Sequence, residues 1–235
     1  MNNSIAENLA AVQRRIVAAA ERAGRSAADV TLVTVTKNFP VDRVVAAVAA
    51  GATALGENRA REAADKYAAL GNIVNGRHVA WHFIGHLQTN KVKLVNGWVD
   101  LIHSVDSIEL ARAIDRRARA VDRVQAVLLE LNIAGESAKA GAKLSDVPAL
   151  AQAAAELPNI AVKGLMTMAP LVDDPADARP VFAALRDWRD KLKSGVLPDC
   201  DELSMGMTDD FEVAVEEGAT IVRVGRAIMG PRPLA

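Results

Sequence analysis

Short runs of β-formers alternate with alanine-rich amphipathic stretches along nearly the whole of this 235-residue chain, and that alternation restricts its fold more than any other feature. The apolar runs predict strands at Val30–Lys37, Thr53–Asn58, Val79–Gly85, Leu101–Ser104, Gln125–Ile133, Val162–Thr167, Glu202–Gly206 and Ile221–Gly225. Between them, stretches such as VDRVVAAVAAG, RAREAADKYAAL, SIELARAIDRRARAVDR and DARPVFAALRDWRDKLKSG read as helices. Strand and helix alternating at this spacing build a parallel sheet with helices outside it. Eight strands in this length predict an α/β fold, a single (β/α)8 TIM-like barrel occupying residues 1–235. An open, doubly wound sheet is the rival. It ordinarily carries a glycine-rich turn after its first strand, where this chain has TKNFPVD.

The two ends refine the picture. Ser4 and Glu7 have capping-box spacing, and Ile5, Leu9, Val12 and Ile16 line one face, so the chain opens on a helix rather than a signal peptide. After the eighth strand only AIMGPRPLA remains, too short for a full last helix, and the extra N-terminal helix is expected to cover that gap.

Composition removes several function classes. The net charge of −1 and the 3% aromatic content leave no footprint for nucleic acid. No apolar run approaches membrane-spanning length. One cysteine, Cys200, excludes an internal disulfide or a multi-cysteine metal site and fits a reducing, cytoplasmic setting. His78, His82 and His86 would share a strand face, but with neighbours roughly 13 Å apart at about 3.3 Å per residue they cannot hold one metal. Tyr67 is expected to pack in an outer helix.

In barrels of this kind chemistry sits at the C-terminal ends of the strands, with phosphate often held after strands seven and eight. Lys37 and Asn58 end strands one and two on that rim. Ser204, Gly206 and Gly225 are small enough there for backbone N–H groups to approach an anion. Side-chain parity turns Val222 and Val224 towards the helices and Arg223 into the barrel, and in the third strand sets His82 and Ile84 on the face opposite Trp81 and Phe83. A guanidinium inside a barrel needs a partner, and an internal ion pair with Glu130 or Asp210 competes with a ligand role. Thr208 reads as a helix N-cap followed by Asp209 and Asp210, acids that would repel a phosphate on that helix end. The phosphate is therefore expected on the loop amides of Ser204–Gly206 and Gly225–Arg226. Strand-end lysines more often snorkel than react. An amine, an inward arginine and an anion cradle on one rim nevertheless match a phosphorylated aldehyde, and pyridoxal 5′-phosphate is such a ligand.

The motifs TVTKNFP, LGENRAREAADKY, WHFIGHLQTNK, HSVDS, LNIAGESAKAG, KGLMTMAP and LSMGMTDDFEVAVEEGATIVRVGRAIMG, in this order, resemble those of the pyridoxal-phosphate homeostasis proteins. The resemblance implies a barrel like the N-terminal domain of alanine racemase, and a carrier or buffer that holds the cofactor as a Lys37 Schiff base without established turnover. It implies that Arg223 faces the pyridine nitrogen, that Ser204, Met205, Gly206, Gly225 and Arg226 surround the phosphate, and that Asn58, His82 and Met166 line the pocket. Catalytic residues and metal ligands are not implied, and the partners are the cofactor and pyridoxal-phosphate-dependent apoenzymes. A monomer suits a carrier. The chain departs from the family pattern at Arg226, where threonine is usual, at His86 in place of a proline, and at Glu130 in place of glutamine. Two other readings stand beside this one: a pyridoxal-phosphate enzyme such as a weak amino-acid racemase, and a cofactor-free Schiff-base aldolase acting through Lys37.

Overall fold

The strands close into the expected barrel. In the computed structural model, which describes residues 4–136 and 140–231, they are β1 (Thr31–Val35), β2 (Ala54–Glu57), β3 (Ala80–Phe83), β4 (Leu101–Val105), β5 (Gln125–Glu130), β6 (Ile160–Met166), β7 (Glu202–Ser204) and β8 (Ile221–Val224). Each pairs in parallel with its sequence neighbour, and β1 pairs with β8 to complete the ring. An antiparallel pair, Ile73–Val74 with Arg77–His78, lies outside the barrel. Residues 137–139 of the LNIAGESAKAG motif and 232–235 of the terminal tail lie outside the described residues.

Alternation along each strand separates two apolar layers. Val33, Ala54, Leu101, Leu128, Met166 and Ile221 fill the barrel interior, while Leu55, Trp81, Phe83, Ile102, Val127, Leu129, Leu203, Val222 and Val224 pack outward against the helices. The helices are α1 (Ile5–Arg22), α2 (Val41–Ala49), α3 (Ala60–Leu70), α4 (Val92–Val95), α5 (Ile108–Ala120), α6 (Val147–Ala155), α7 (Arg179–Lys193), α8 (Phe211–Glu216) and α9 (Arg226–Met229). Each fully buried Leu, Ile or Phe in the outer layer contributes about 2 kcal/mol.

The N-terminal helix does what the short last helix cannot. Both halves of its capping box form: Ser4 Oγ accepts from the Glu7 N–H at 3.2 Å, and Glu7 Oε2 accepts from the Ser4 N–H at 2.7 Å. Ile5, Leu9, Val12 and Ile16 are buried. Arg15 and Arg22 pair with Glu212 and Glu216 of α8, and Asn8 donates to the Ile228 carbonyl of α9. A four-residue α9 is thereby covered from outside by an eighteen-residue α1.

Several ends differ from the sequence reading. β1 stops at Val35, two residues before Lys37, and β7 stops at Ser204, two before Gly206. Thr208 does not cap α8. Residues 208–210 form a turn, the helix starts at Phe211 with Asp210 at the cap position, and Asp210 Oδ1 accepts from the Met207 N–H at 2.6 Å. The Asp210 carboxylate is engaged by the N–H three residues upstream, a local side-chain-to-backbone bond that closes residues 207–210 into a turn before the helix begins.

Candidate cofactor site

The C-terminal rim holds a cavity of about 600 Å³. Odd positions of β1 face inward, so Val35 and then Lys37 reach it; β2 brings Asn58, β3 brings Ile84, and β8 brings Arg223 and Gly225. The loop after β8 adds Arg226, and the loop after β7 adds Met207, Thr208 and Asp209. Phe39, Met168 and Leu171 supply an apolar wall. Lys37, Asn58, Arg223, Gly225 and Arg226, chosen from the sequence, thus share one cavity.

Arg223 is fully enclosed, and its partners are neutral. One guanidinium nitrogen donates to Ser204 Oγ at 2.6 Å and the other to the Thr167 carbonyl at 3.0 Å. The competing reading, an ion pair with Glu130 or Asp210, is not made: among the described residues no carboxylate pairs with Arg223. Burial pushes Arg223 down to about 10, against the fields of Glu130 and Asp210, so it stays cationic at neutral pH. Glu130, inward on β5 and buried, is pushed up to about 7, first by burial and then by Asp106, with Arg223 pulling the other way.

Beneath Arg223 runs a polar chain. Ser204 Oγ lies 2.8 Å from His103 Nδ1, and His103 Nε2 lies 2.9 Å from His82 Nδ1. Burial holds His82 down to about 4 and His103 well below the usual imidazole range, so both rings are neutral. Two neutral histidines can pass one donor direction along such a chain, each ring donating from one nitrogen and accepting at the other.

The remaining sequence candidates lie one layer away from the cavity. His82 and Ser204 belong to the chain beneath Arg223, and Met166 is in the inner apolar layer. The Met205 side chain packs in the outer core, and its N–H donates to the Ile221 carbonyl at 3.1 Å. Gly206 has φ +89° and accepts the Arg223 N–H on its carbonyl, while a Cβ there would meet Ala214 Cβ at 2.6 Å. Because β7 ends early, residues 207–209 rather than 204–206 meet the cavity. Arg226 is exposed and pairs with Asp209 at 2.7 Å.

Sequence reasoning did not single out His103, although counting by twos from the inward Leu101 finds it. It also missed a cluster behind the first two strands. Glu57, outward on β2, accepts from Lys66 Nζ of α3 at 2.6 Å and from Thr36 Oγ1 at 2.6 Å. Tyr67 stacks on Trp98 with ring centroids 4.3 Å apart, packed as expected and not in the cavity wall. Cys200 is buried, and burial pushes its thiol up to about 11.

A closed parallel barrel with an amine, a guanidinium and two loops around one rim cavity is the architecture of a known domain class. Residues 8–233 match the family model for the alanine racemase N-terminal domain. The chain is 44% identical over 226 residues to the pyridoxal phosphate homeostasis protein of Aquifex aeolicus, covering 96% of this chain and 97% of that one. It is 39% identical over 235 residues to the Escherichia coli K12 protein of the same name, covering 98% and 97%. The structure of PipY from Synechococcus elongatus with pyridoxal phosphate bound superposes with a TM-score of 0.83 at 35% identity, covering 97% of this chain and 100% of that one. This chain belongs to the pyridoxal phosphate homeostasis protein family. Among its described residues no helix is long and apolar enough to cross a membrane.

Proposed function

We propose that this protein binds pyridoxal 5′-phosphate in the rim cavity and serves its intracellular homeostasis, holding the cofactor through Lys37 and releasing it to pyridoxal-phosphate-dependent apoenzymes without robust catalysis of its own. The observation that carries this reading is the placing of Lys37 and Arg223 in the walls of one cavity. When bound, the cofactor supplies an aldehyde, a pyridine ring and a phosphate.

The residues present fit that group. Lys37 offers a primary amine, and Arg223 a donor-only cation held by Ser204 and Thr167. An arginine beside the pyridine nitrogen keeps the ring unprotonated, which suits retention better than carbanion chemistry. Asn58 Oδ1 is buried without a hydrogen-bond partner, an orphaned acceptor in the cavity wall that a ligand donor could satisfy. Gly225, Arg226 and Thr208 surround the end assigned to the phosphate. For a racemase, a second acid–base group would have to face Lys37 across the ring. Tyr67, the one tyrosine of the sequence, is stacked against Trp98 and does not supply it.

The test is the visible absorbance of protein mixed with the cofactor, before and after borohydride, followed by peptide mapping. The expected result is a yellow band abolished by reduction, with the pyridoxyl group fixed to Lys37 and absent from Lys37→Ala. A protein that takes up no cofactor overturns the reading. Amino-acid-dependent product formation at enzymatic rates would replace it with the racemase.

A further inference from the structure

The two residues on either side of Lys37 are tied to a single buried ammonium. Lys66 Nζ, 5% exposed as a residue, uses its three donors on the Thr36 carbonyl at 2.7 Å, Glu57 Oε1 at 2.6 Å and Glu62 Oε1 at 2.7 Å. Thr36 Oγ1 also donates to Glu57 Oε1. On the other side of the lysine, the Asn38 N–H donates to Glu62 Oε1 at 2.6 Å, and Asn38 has φ +65°. Asparagine tolerates the left-handed region better than other non-glycine residues, but a bond to its N–H fixes it in that conformation. Here Glu62 accepts that bond.

This cluster lies behind the cavity wall, on the outward face of β1 and β2, and touches no ligand position. Burying a lysine between two glutamates is poor economy for stability alone, since apolar replacements of such clusters are often neutral or better. What the cluster does fix is the backbone on both flanks of Lys37, and through it the direction in which the Lys37 side chain leaves the turn after β1.

We propose that Glu62, anchored by Lys66, which Glu57 holds in turn, is a positioning residue for Lys37: by holding the Asn38 N–H it aims the Lys37 amine into the cavity. This rests on the reading that Lys37 takes the cofactor's aldehyde. That adduct joins Lys37 Nζ to the aldehyde carbon with loss of one water and needs no oxidant or reductant. Loss of Glu62 should therefore weaken capture of the aldehyde while leaving the ring and phosphate contacts intact.

The experiment compares two ligands that differ at one group. Pyridoxal 5′-phosphate carries the aldehyde; pyridoxine 5′-phosphate has an alcohol in its place and cannot join a lysine. Their affinities for the intact protein and for Glu62→Ala, Glu62→Gln and Thr36→Val are measured by calorimetry, with borohydride trapping at Lys37 scored in parallel. In Glu62→Ala the preference for the aldehyde is expected to drop about tenfold, the size of a lost hydrogen bond to a charged acceptor, with the alcohol bound as before. Glu62→Gln keeps an acceptor oxygen for the Asn38 N–H and is expected to restore most of the preference. An unchanged preference in Glu62→Ala, or an equal loss for both ligands, overturns the proposal. If Glu62→Ala fails to fold, Thr36→Val decides: it removes the hydroxyl bond to Glu57 at similar volume, with an expected drop of about threefold, and an unchanged preference there is equally fatal. A parent protein that shows neither aldehyde preference nor trapping at Lys37 would instead overturn the reading of Lys37 itself.

Discussion

The Arg226 guanidinium holds both carboxylate oxygens of Asp209, at 2.7 and 2.8 Å, joining the loop after β7 to the loop after β8 across the cavity mouth. Both side chains are largely exposed, so the pair itself is worth well under about 1 kcal/mol. Arg226 thus stands at the mouth with donors to spare. Arg226→Thr is expected to weaken pyridoxal phosphate binding about threefold, with the difference shrinking at high salt. Asp209→Asn is expected to tighten it. Titrations at two ionic strengths check both, and equal or tighter binding in Arg226→Thr would remove Arg226 from the phosphate contacts.

Arg223 costs the fold stability in return for its place in the cavity. Enclosed, with no carboxylate pairing it among the described residues, and pushed down to about 10, its charged form destabilises the folded chain at neutral pH by roughly 3–4 kcal/mol. Arg223→Met removes that cost at similar length, and only part of the gain is offset by the lost bonds to Ser204 and Thr167. The expected outcome is a cofactor-free protein more stable by about 1–2 kcal/mol in denaturant titration, but with pyridoxal phosphate affinity reduced at least about tenfold. A variant that loses both stability and affinity would mean that the guanidinium bonds outweigh its desolvation.

Glu130 makes stability depend on pH in an identifiable window. Pushed up to about 7 by burial and Asp106, it holds its proton in the folded chain between about pH 4.5 and 7, where an unfolded chain has already lost it. The folded state then binds the extra proton, so stability falls as pH rises through this window, by roughly 3–4 kcal/mol at most. His82, held down to about 4, acts oppositely: its contribution is lost as pH falls from about 6.5 towards 4. Glu130→Gln is expected to match the parent near pH 4.5 and exceed its stability above pH 7. Denaturant midpoints at pH 5 and 8 test this, and a gain that is the same at both would contradict it.

Gly85 is the point where the segment after β3 passes the Asn58 backbone. A Cβ at this position would lie 2.1 Å from the Asn58 carbonyl oxygen, a rigid neighbour that must move. Gly85→Ala is expected to cost about 2–3 kcal/mol in stability and to lower cofactor affinity by displacing Asn58. Thermal unfolding together with the cofactor titration checks it, and an unperturbed melting temperature would contradict the close approach.

The barrel and the heart of its rim were legible in the sequence because they follow from local rules. Strand and helix alternate with few exceptions, and parity along β8 puts Arg223 inside as surely as it puts Val222 and Val224 outside. The same parity would have found His103 from Leu101 and turned Met205 towards the helices. It was Met205's neighbours in the sequence, not its direction, that suggested a place in the cradle. The helix start after β7 misled for a different reason: Thr208 and Asp210 are both good capping residues, and the bond from Met207 to Asp210 that chooses between them is a property of the folded loop.

By itself the sequence determined the order and direction of the eight strands, the covering role of the N-terminal helix and the inward course of Lys37 and Arg223, since periodicity and chain length leave few alternatives. Only the tertiary structure decided who partners whom. Arg223 bonds to Ser204 and Thr167 rather than to Glu130, Arg226 reaches Asp209, and Lys66 gathers Thr36, Glu57 and Glu62 around the flanks of Lys37. Such pairings depend on the stagger between neighbouring strands and on how each helix sits against them. Displacements of one or two ångströms settle which donor meets which acceptor, and no spacing along the chain records them.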